Sequence, residues 1–350
     1  MTARRMKYGK KRGKAATLLM LMTVLAFASV LAAGYWAAKT PYGPEEETFV
    51  EIHPGSNSAQ IAHTLAEAGI IRSPYLFRLA CWMSAHTRLK LKAGEYRFDH
   101  PLTAAEVCER LERGDVYTIS VTIPEGSNLF DIAAILQRDG FASRADFLTA
   151  AANESSLISD LDPQAKTLEG YLFPDTYKFP RKATVVQIIT QMVRRFRMEA
   201  AQAGIESTQM HNIITLASLI EKETAVDAER PLVASVFQNR LAKKMPLATD
   251  PSIIYGLELE GIWRGTIYAS DLKRDTAYNT YLHAGLPPGP ISNPGLRSIE
   301  AAMHPAQTNY LYFVAAGADA QGASHFSATL AEHDRAVGAY RKARKNAGGR

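Results

Sequence analysis

The sequence predicts an α+β chain with one N-terminal transmembrane helix, small α/β modules after it, and a larger mixed α+β domain at the end. Three observations predict this. A long uncharged run follows a basic start. A strand–helix–helix pattern occurs twice at a fixed offset. In the second half, helical periodicities alternate with loops rich in Pro and Gly.

The first element is the anchor. Residues 1–14 carry Arg4, Arg5, Lys7, Lys10, Lys11, Arg12 and Lys14 and no acid. Residues 15–38 then pass without a charge. At about 1.5 Å per residue, such a helix spans a hydrocarbon core of about 30 Å. The basic flank marks the cytoplasmic side. The expectation is a single-pass anchor with its N-terminus cytoplasmic and everything after Lys39 outside the cytoplasm. A cleavable signal peptide is the rival reading, because Ala32, Ala33 and Gly34 are small. The apolar core of such peptides is about 7–15 residues, shorter than this run.

The net charge of +5 belongs to the two ends. The last ten residues hold five more positive charges, so residues 15–340 sum to about −7. An acidic body is no electrostatic footprint for nucleic acid.

A polar linker, 39–49, leads to the repeat. Val50, Ile52, Gly55, Ser56, Asn57, Ile61, Ala62, Leu65 and Gly69 recur as Val121, Ile123, Gly126, Ser127, Asn128, Ile132, Ala133, Leu136 and Gly140, 71 residues on. In each copy (50–80 and 121–151), V-x-I alternates as a strand and a Pro/Gly turn follows. Ser or Asn caps a helix that Gly69 or Gly140 ends, and a second helix begins near Ser73 or Ser143. Between the copies, 94–98 reads as a strand and 102–114 as a capped helix. The modules are expected to fill 50–165, the larger domain 166–345, and a short tail 346–350. Cys81 and Cys108 lie outside any CxxC spacing, which excludes a thiolate zinc site. They are free to pair, but the reading favoured here is two small buried hydrophobes on helices.

In the second half, 168–180 is aromatic and interrupted by Pro174 and Pro180, so it is no long helix. Residues 184–204, 211–225 and 229–245 read as helices, 247–258 as a loop and a short element. Residues 277–294 are loop, helical from about Gly295; 310–316 is a strand, and a helix ends the fold. The helix around SLIEKETAV carries two glutamates. An apolar stripe through Ile213, Leu216, Leu219 and Ile220 continues at Glu223 rather than Glu221. Glu223 would face the interior or a cleft, where lost hydration favours its neutral form. That state suits a general acid for glycosidic cleavage. The bland alternative is a helix-end Glu paired with a base on the next helix. Glu221 reads as the solvated partner of Lys222 or Arg230. The stiff loop 285–295, with TDP at 249–251 and AYNTY at 277–281, offers polar and aromatic groups suited to a sugar. No HExxH, GxSxG or phosphate-cradling motif occurs, and neither a metal nor a cofactor is expected.

These segments carry a resemblance. EGYLFPDTY (169–177), LASLIEKETA (216–225), RPLVASVFQNRL (230–241), TDPSIIYG (249–256), YNTYLHAGLPPGPISNPG (278–295), AAMHPAQTNYLYFVA (301–315) and SHFSATLAEHD (324–334) make the chain similar to the YceG-like family of endolytic murein transglycosylases, over nearly its full length. The resemblance implies an inner-membrane enzyme with a LysM-like module and a periplasmic catalytic domain. It would cut the MurNAc–GlcNAc β-1,4 bond of nascent peptidoglycan, leave a 1,6-anhydro-MurNAc end and so end strand elongation. The family's catalytic glutamate matches Glu223. Asp250, Tyr278, Asn279 and Thr280 match cleft motifs and are the implied substrate contacts, with Glu221 and His325 in support. Glycan strands, the inner membrane and peptidoglycan synthases are the implied partners. Two departures stand out: Ala248 replaces the family's usual Gln, and a Gly-Gly pair becomes Gly322-Ala323 before Ser324. Two rival readings are a non-catalytic wall-binding scaffold and a hydrolytic muramidase with Asp250 as second carboxylate.

Overall fold

The computed structural model describes residues 3–84, 90–316 and 323–347. Met1 and Thr2 of the basic tail, Gly322, and 348–350 of the C-terminal tail lie outside the described residues. The chain forms two compact units, residues 1–119 and 120–350.

The first unit begins with α1 (Ala3–Lys39), whose stretch Ala16–Lys39 is long and apolar enough to cross a membrane. Leu18, Leu21, Leu25 and Phe27 are exposed along it, as a lipid-facing helix requires. Strand β1 (Thr48–Ile52), helices α2 (Ser58–Glu67) and α3 (Pro74–Ser84), strand β2 (Gly94–Phe98) and helix α4 (Ala104–Arg113) follow. β1 and β2 pair antiparallel, with Val50 opposite Tyr96. A two-stranded sheet is marginal by itself. Here its inner face buries Val50, Ile52, Tyr96 and Phe98 against Ile61, Leu65, Phe77, Val107 and Leu111 of the helices.

A disulfide joins Cys81 of α3 to Cys108 of α4, with Cα atoms 5.5 Å apart. This corrects the expectation of two unpaired small hydrophobes. Cys108 is fully buried as expected. But α3 and α4 pack side by side, and that adjacency brings the two Cβ atoms within bridging range.

Strand β3 (Thr118–Thr122) carries the chain into the second unit, where α5 (Leu129–Arg138) and α6 (Arg144–Asn153) complete the second copy of the repeat. Both copies use the same start signal. Asn57 accepts from the N–H groups of Ala59 and Gln60, and Asn128 accepts from that of Asp131. In each, the third helical residue returns a side-chain bond to the cap.

The second copy nevertheless does not stand with the first. Val121, Ile123, Ile132 and Leu136 share one core with Leu172, Ile189, Leu219 and Phe237. The unit boundary therefore falls at 119/120, where the sequence placed a domain boundary at 165/166. After β4 (Thr176–Pro180), which pairs with β3, come α7 (Val185–Ala203), α8 (Ser207–Glu223), α9 (Arg230–Ala242), α10 (Asp250–Leu259) and α11 (Leu296–Met303). The hairpin β5 (Tyr312–Ala315)–β6 (Ser324–Ser327) and α12 (Leu330–Ala347) end the chain. The helix α7 has the expected form: Thr184 caps it, Gly204 ends it in the left-handed conformation, and Ile188, Ile189, Met192, Val193 and Phe196 line its buried side.

Candidate active site

The site is built on the C-terminal end of α8. This helix is packed on every side: Ile214 through Ile220 are all buried, polar Thr215 and Ser218 included. Ser218 is used to fix the loop above it. Its Oγ donates to the Thr215 carbonyl (2.7 Å) and accepts from the Ile291 N–H (3.0 Å). Asn293 fixes the same loop from the other side. Its carboxamide donates to the Ser127 carbonyl (2.9 Å) and to Glu169 (3.1 Å), and accepts from the Leu172 N–H (2.8 Å). His211 bridges the Asp162 carboxylate (2.7 Å) and the Pro288 carbonyl (3.1 Å). These bonds hold the Pro-rich loop in addition to its own stiffness. Gly170 is required beneath it: its φ is +88°, and a Cβ there would lie 2.6 Å from Pro290 and 2.8 Å from Ile214.

The turn of the second repeat copy buttresses the end of α8. The Gly126 carbonyl accepts from Lys222 Nζ (3.2 Å), and a Cβ on Gly126 would meet Glu221 at 3.4 Å. The glycine itself is required by its φ of +75°, which a side chain rarely adopts.

Glu221 and Glu223 have distinct fates. The Glu221 side chain is 6% exposed, and so is that of Arg230, which donates to it at 3.2 Å. Its second oxygen accepts from the Gly295 N–H (2.9 Å). Arg230 also donates to the Thr224 carbonyl (3.0 Å). Glu221 therefore clamps the ends of α8, α9 and α11 together. The partner Arg230 is as expected, but the solvated setting is not. A helix buried on all sides leaves no wet face for residue 221, and that defeats the stripe argument.

Glu223, the last residue of α8, is half-buried, and its carboxyl has no hydrogen-bond partner among the described residues. Burial pushes its pKa up to about 7, the charge of Asp250 adds to the rise, and Arg240 opposes it. Part of the residue's surface stays exposed. Arg240, on α9, is held by the Leu311 carbonyl (2.7 Å) and the Leu247 carbonyl (2.7 Å), with its guanidinium 5.4 Å from the Tyr312 ring centre.

The residues expected at the substrate divide. Asp250, at the start of α10, is exposed, and its Oδ1 accepts from the Tyr281 hydroxyl (2.8 Å). Tyr278 is half-buried and packs edge-on to Tyr255 at 5.0 Å. Asn279 and Thr280 are buried and spent on structure. The Asn279 carboxamide bonds the backbone of Leu272, Arg274 and Tyr281. Thr280 Oγ1 accepts from the Thr249 N–H (3.0 Å) and lies 2.8 Å from Ser252 Oγ. They shape the site rather than face it. The outward group of this loop is Tyr281, 38% exposed, which the sequence reading passed over. Burial and the neighbouring charges of Asp250 and Glu223 raise its pKa. His325 is exposed on β6, paired across the hairpin with Val314. Ala248 takes a left-handed backbone (φ 51°), pinned by its N–H to the Thr280 carbonyl at 3.0 Å. Non-glycine residues in that region cost of order 1 kcal/mol, and such strain gathers at functional sites.

A helix-end carboxyl whose pKa is raised to about 7, beside a second acid and a tyrosine, is an arrangement able to serve general acid–base chemistry. No group of His, Cys, Asp or Glu suited to a metal ion occurs among the described residues. The model of the YceG-like family matches residues 50–339, and the chain belongs to that family. It is 34% identical over 322 residues to an endolytic murein transglycosylase of Bacillus subtilis strain 168, covering 86% of this chain and 87% of that protein. A protein of the same name from Streptococcus pneumoniae R6 is 30% identical over 320 residues, which are 82% of this chain but 57% of the streptococcal one. A crystal structure of a YceG-like protein from Listeria monocytogenes aligns with a TM-score of 0.53 at 34% identity, over 83% of this chain and 99% of that one.

Proposed function

We propose that this chain is an endolytic murein transglycosylase, a carbon–oxygen lyase that cuts the MurNAc–GlcNAc β-1,4 bond of nascent peptidoglycan. It leaves a 1,6-anhydro-MurNAc end and so terminates strand elongation. The single observation that carries this reading is the Glu223 carboxyl, raised to about 7 by burial at the opening of the site. Protonated, it gives its proton to the glycosidic oxygen as the C1–O bond breaks. The carboxylate so formed then takes the proton of the MurNAc C6 hydroxyl, whose oxygen bonds C1. No water is consumed, so a second catalytic carboxylate is not needed. Asp250, kept in place by Tyr281, faces the positive charge that builds on the sugar. The names of the bacterial relatives support the reaction class.

The remaining assignments follow from the same reading. α1 is a single-pass inner-membrane anchor with a cytoplasmic N-terminus, the strand–helix–helix copies are LysM-like, and, within the second unit, residues 166–345 supply the catalytic side chains outside the cytoplasm. Peptidoglycan synthases are the expected neighbours.

The test is mass spectrometry of muropeptides from purified sacculi treated with the full chain in detergent and with its Glu223→Gln variant. Anhydro ends from the unsubstituted chain, and a loss of roughly 10²–10⁴-fold in the variant, are the expected result. Ends heavier by one water would replace this reading with a muramidase using Asp250. Binding without cleavage by either protein would replace it with a wall-binding scaffold.

A further inference from the structure

We infer that helix α3 of the first unit lies on the bilayer surface, its outer face seated among lipid headgroups and the upper acyl chains. The inference rests on α1 crossing a bilayer.

The outer face of α3 is apolar and uncovered. Tyr75 is 80% exposed, Leu79 49%, Trp82 76% and Met83 65%. Spaced at i, i+4, i+7 and i+8, they form one continuous stripe. Arg78 is exposed on its edge. The opposite side of the helix holds Phe77 in the core and Cys81 in the disulfide, so the stripe cannot turn inward. Large exposed apolar patches on otherwise soluble modules mark interaction sites.

Position selects the occupant. The C-terminal end of α1 packs directly against α3 and α4. Arg72, two residues before α3, sets its guanidinium 5.8 Å from the Trp36 ring centre and 5.0 Å from that of Tyr42. Tyr35 and Trp36 stand at the end of the apolar span, where aromatic side chains gather at the membrane–water interface. Helix α3 starts beside that belt, and its 11 residues extend only about 16 Å. Tyr and Trp supply rings suited to the headgroup level, Leu79 and Met83 the apolar depth, and Arg78 a partner for lipid phosphate. The disulfide to α4 keeps the helix in this place. A surface helix of this kind would fix the first unit against the membrane rather than leave it swinging on the linker.

The test uses the chain's three tryptophans, Trp36, Trp82 and Trp263. Full-length single-tryptophan variants, each with the other two replaced by Phe, are reconstituted into phosphatidylglycerol/phosphatidylethanolamine vesicles with brominated acyl chains. Quenching of Trp82 of the same order as that of Trp36, lost on adding Leu79→Glu to the Trp82-only variant, supports the inference. Quenching of Trp36 with Trp82 unquenched overturns it while leaving the anchor intact. An unquenched Trp36 overturns the anchor and the inference with it. Trp82 emission that ignores brominated lipid but shifts with soluble glycan fragments assigns the face to glycan and overturns the inference. Quenching of Trp82 that Leu79→Glu leaves unchanged, in a variant whose helix content by circular dichroism is intact, does the same.

Discussion

The Tyr281 hydroxyl donates a 2.8 Å hydrogen bond to Asp250, and the charge of Asp250 is one of the two causes that keep the Glu223 proton in place. Removing the charge should release that proton more easily. Asp250→Asn is expected to move the alkaline limb of the kcat/KM profile to lower pH, because Glu223 must be protonated to act and now loses its proton sooner. Tyr281→Phe leaves the charge but frees the carboxylate to move. It should lower kcat/KM by roughly tenfold, in line with the loss of a hydrogen bond to a charged group, and leave the position of the limb largely in place. pH–rate profiles of both variants on purified sacculi check this. An Asp250→Asn limb that stays put, or moves to higher pH, would remove Asp250 from the electrostatics of the acid.

The Glu221–Arg230 pair should matter for stability rather than chemistry. Both side chains are nearly inaccessible, and Glu221 also serves the Gly295 N–H. Glu221→Ala takes the charge partner from a buried guanidinium, which keeps the Thr224 carbonyl and Asp227, and leaves the Gly295 N–H without its acceptor. The expected cost is about 3–5 kcal/mol. Glu221→Leu combined with Arg230→Met should recover much of it, since an apolar pair of similar volume replaces a desolvated ion pair. Denaturant unfolding of the two singles and the double measures the coupling. Additive costs would mean that the clamp is not a unit.

The parts of this molecule that were legible in its sequence are those written locally. Asn57 and Asn128 cap helices because capping needs only the next three residues, and the amphipathic α7 is set by its own periodicity. Placing Glu223 at the end of a helix was equally local. What escaped depends on groups far apart in the chain. Glu221 is buried because α8 has neighbours on every side, which no stripe reveals. The second repeat copy joins the larger unit because Glu169 and Asn293 reach its backbone at Leu129 and Ser127. In YNTY, four residues of similar promise sit together, and only the fold decides that Asn279 and Thr280 turn in while Tyr281 turns out. A buried glutamate in the EGYLF segment could have been suspected from its aromatic surroundings; Asn293 offered no signal beyond lying between Ser and Pro.

The disulfide should stabilise the first unit measurably. It closes a separation of 27 residues, for which loop-closure entropy gives about 3–4 kcal/mol. Cys81→Ser and Cys108→Ser should each lower the stability of the first unit by that order, and the double variant by no more than either single. Hydrogen exchange on α3 and α4 in the full chain, with and without the bridge, reads the effect locally. Unchanged protection in both helices would show that packing alone holds them.

Glu169 predicts a pH dependence of folding. Its carboxyl is almost fully buried and accepts from the Leu129 N–H (3.0 Å) and from Asn293 (3.1 Å). Burial raises its pKa to about 8, against partial relief from the Leu129 and Tyr255 bonds. The folded state therefore binds a proton more tightly than the unfolded chain, whose glutamates titrate near 4.5. The contribution is fully present below that unfolded value and is lost as pH rises toward 8. Glu223, raised to about 7, acts in the same direction over a narrower range. The midpoint of denaturant unfolding for the second unit should thus fall between about pH 5 and pH 8. Glu169→Gln leaves one N–H without an acceptor, costing about 1–3 kcal/mol at every pH, so its absolute stability is uninformative. The slope is what decides. Glu169→Gln should flatten the upper part of the decline, Glu223→Gln the part below about pH 7, and the double variant most of it. A decline that survives in the double variant would place the titrating groups elsewhere.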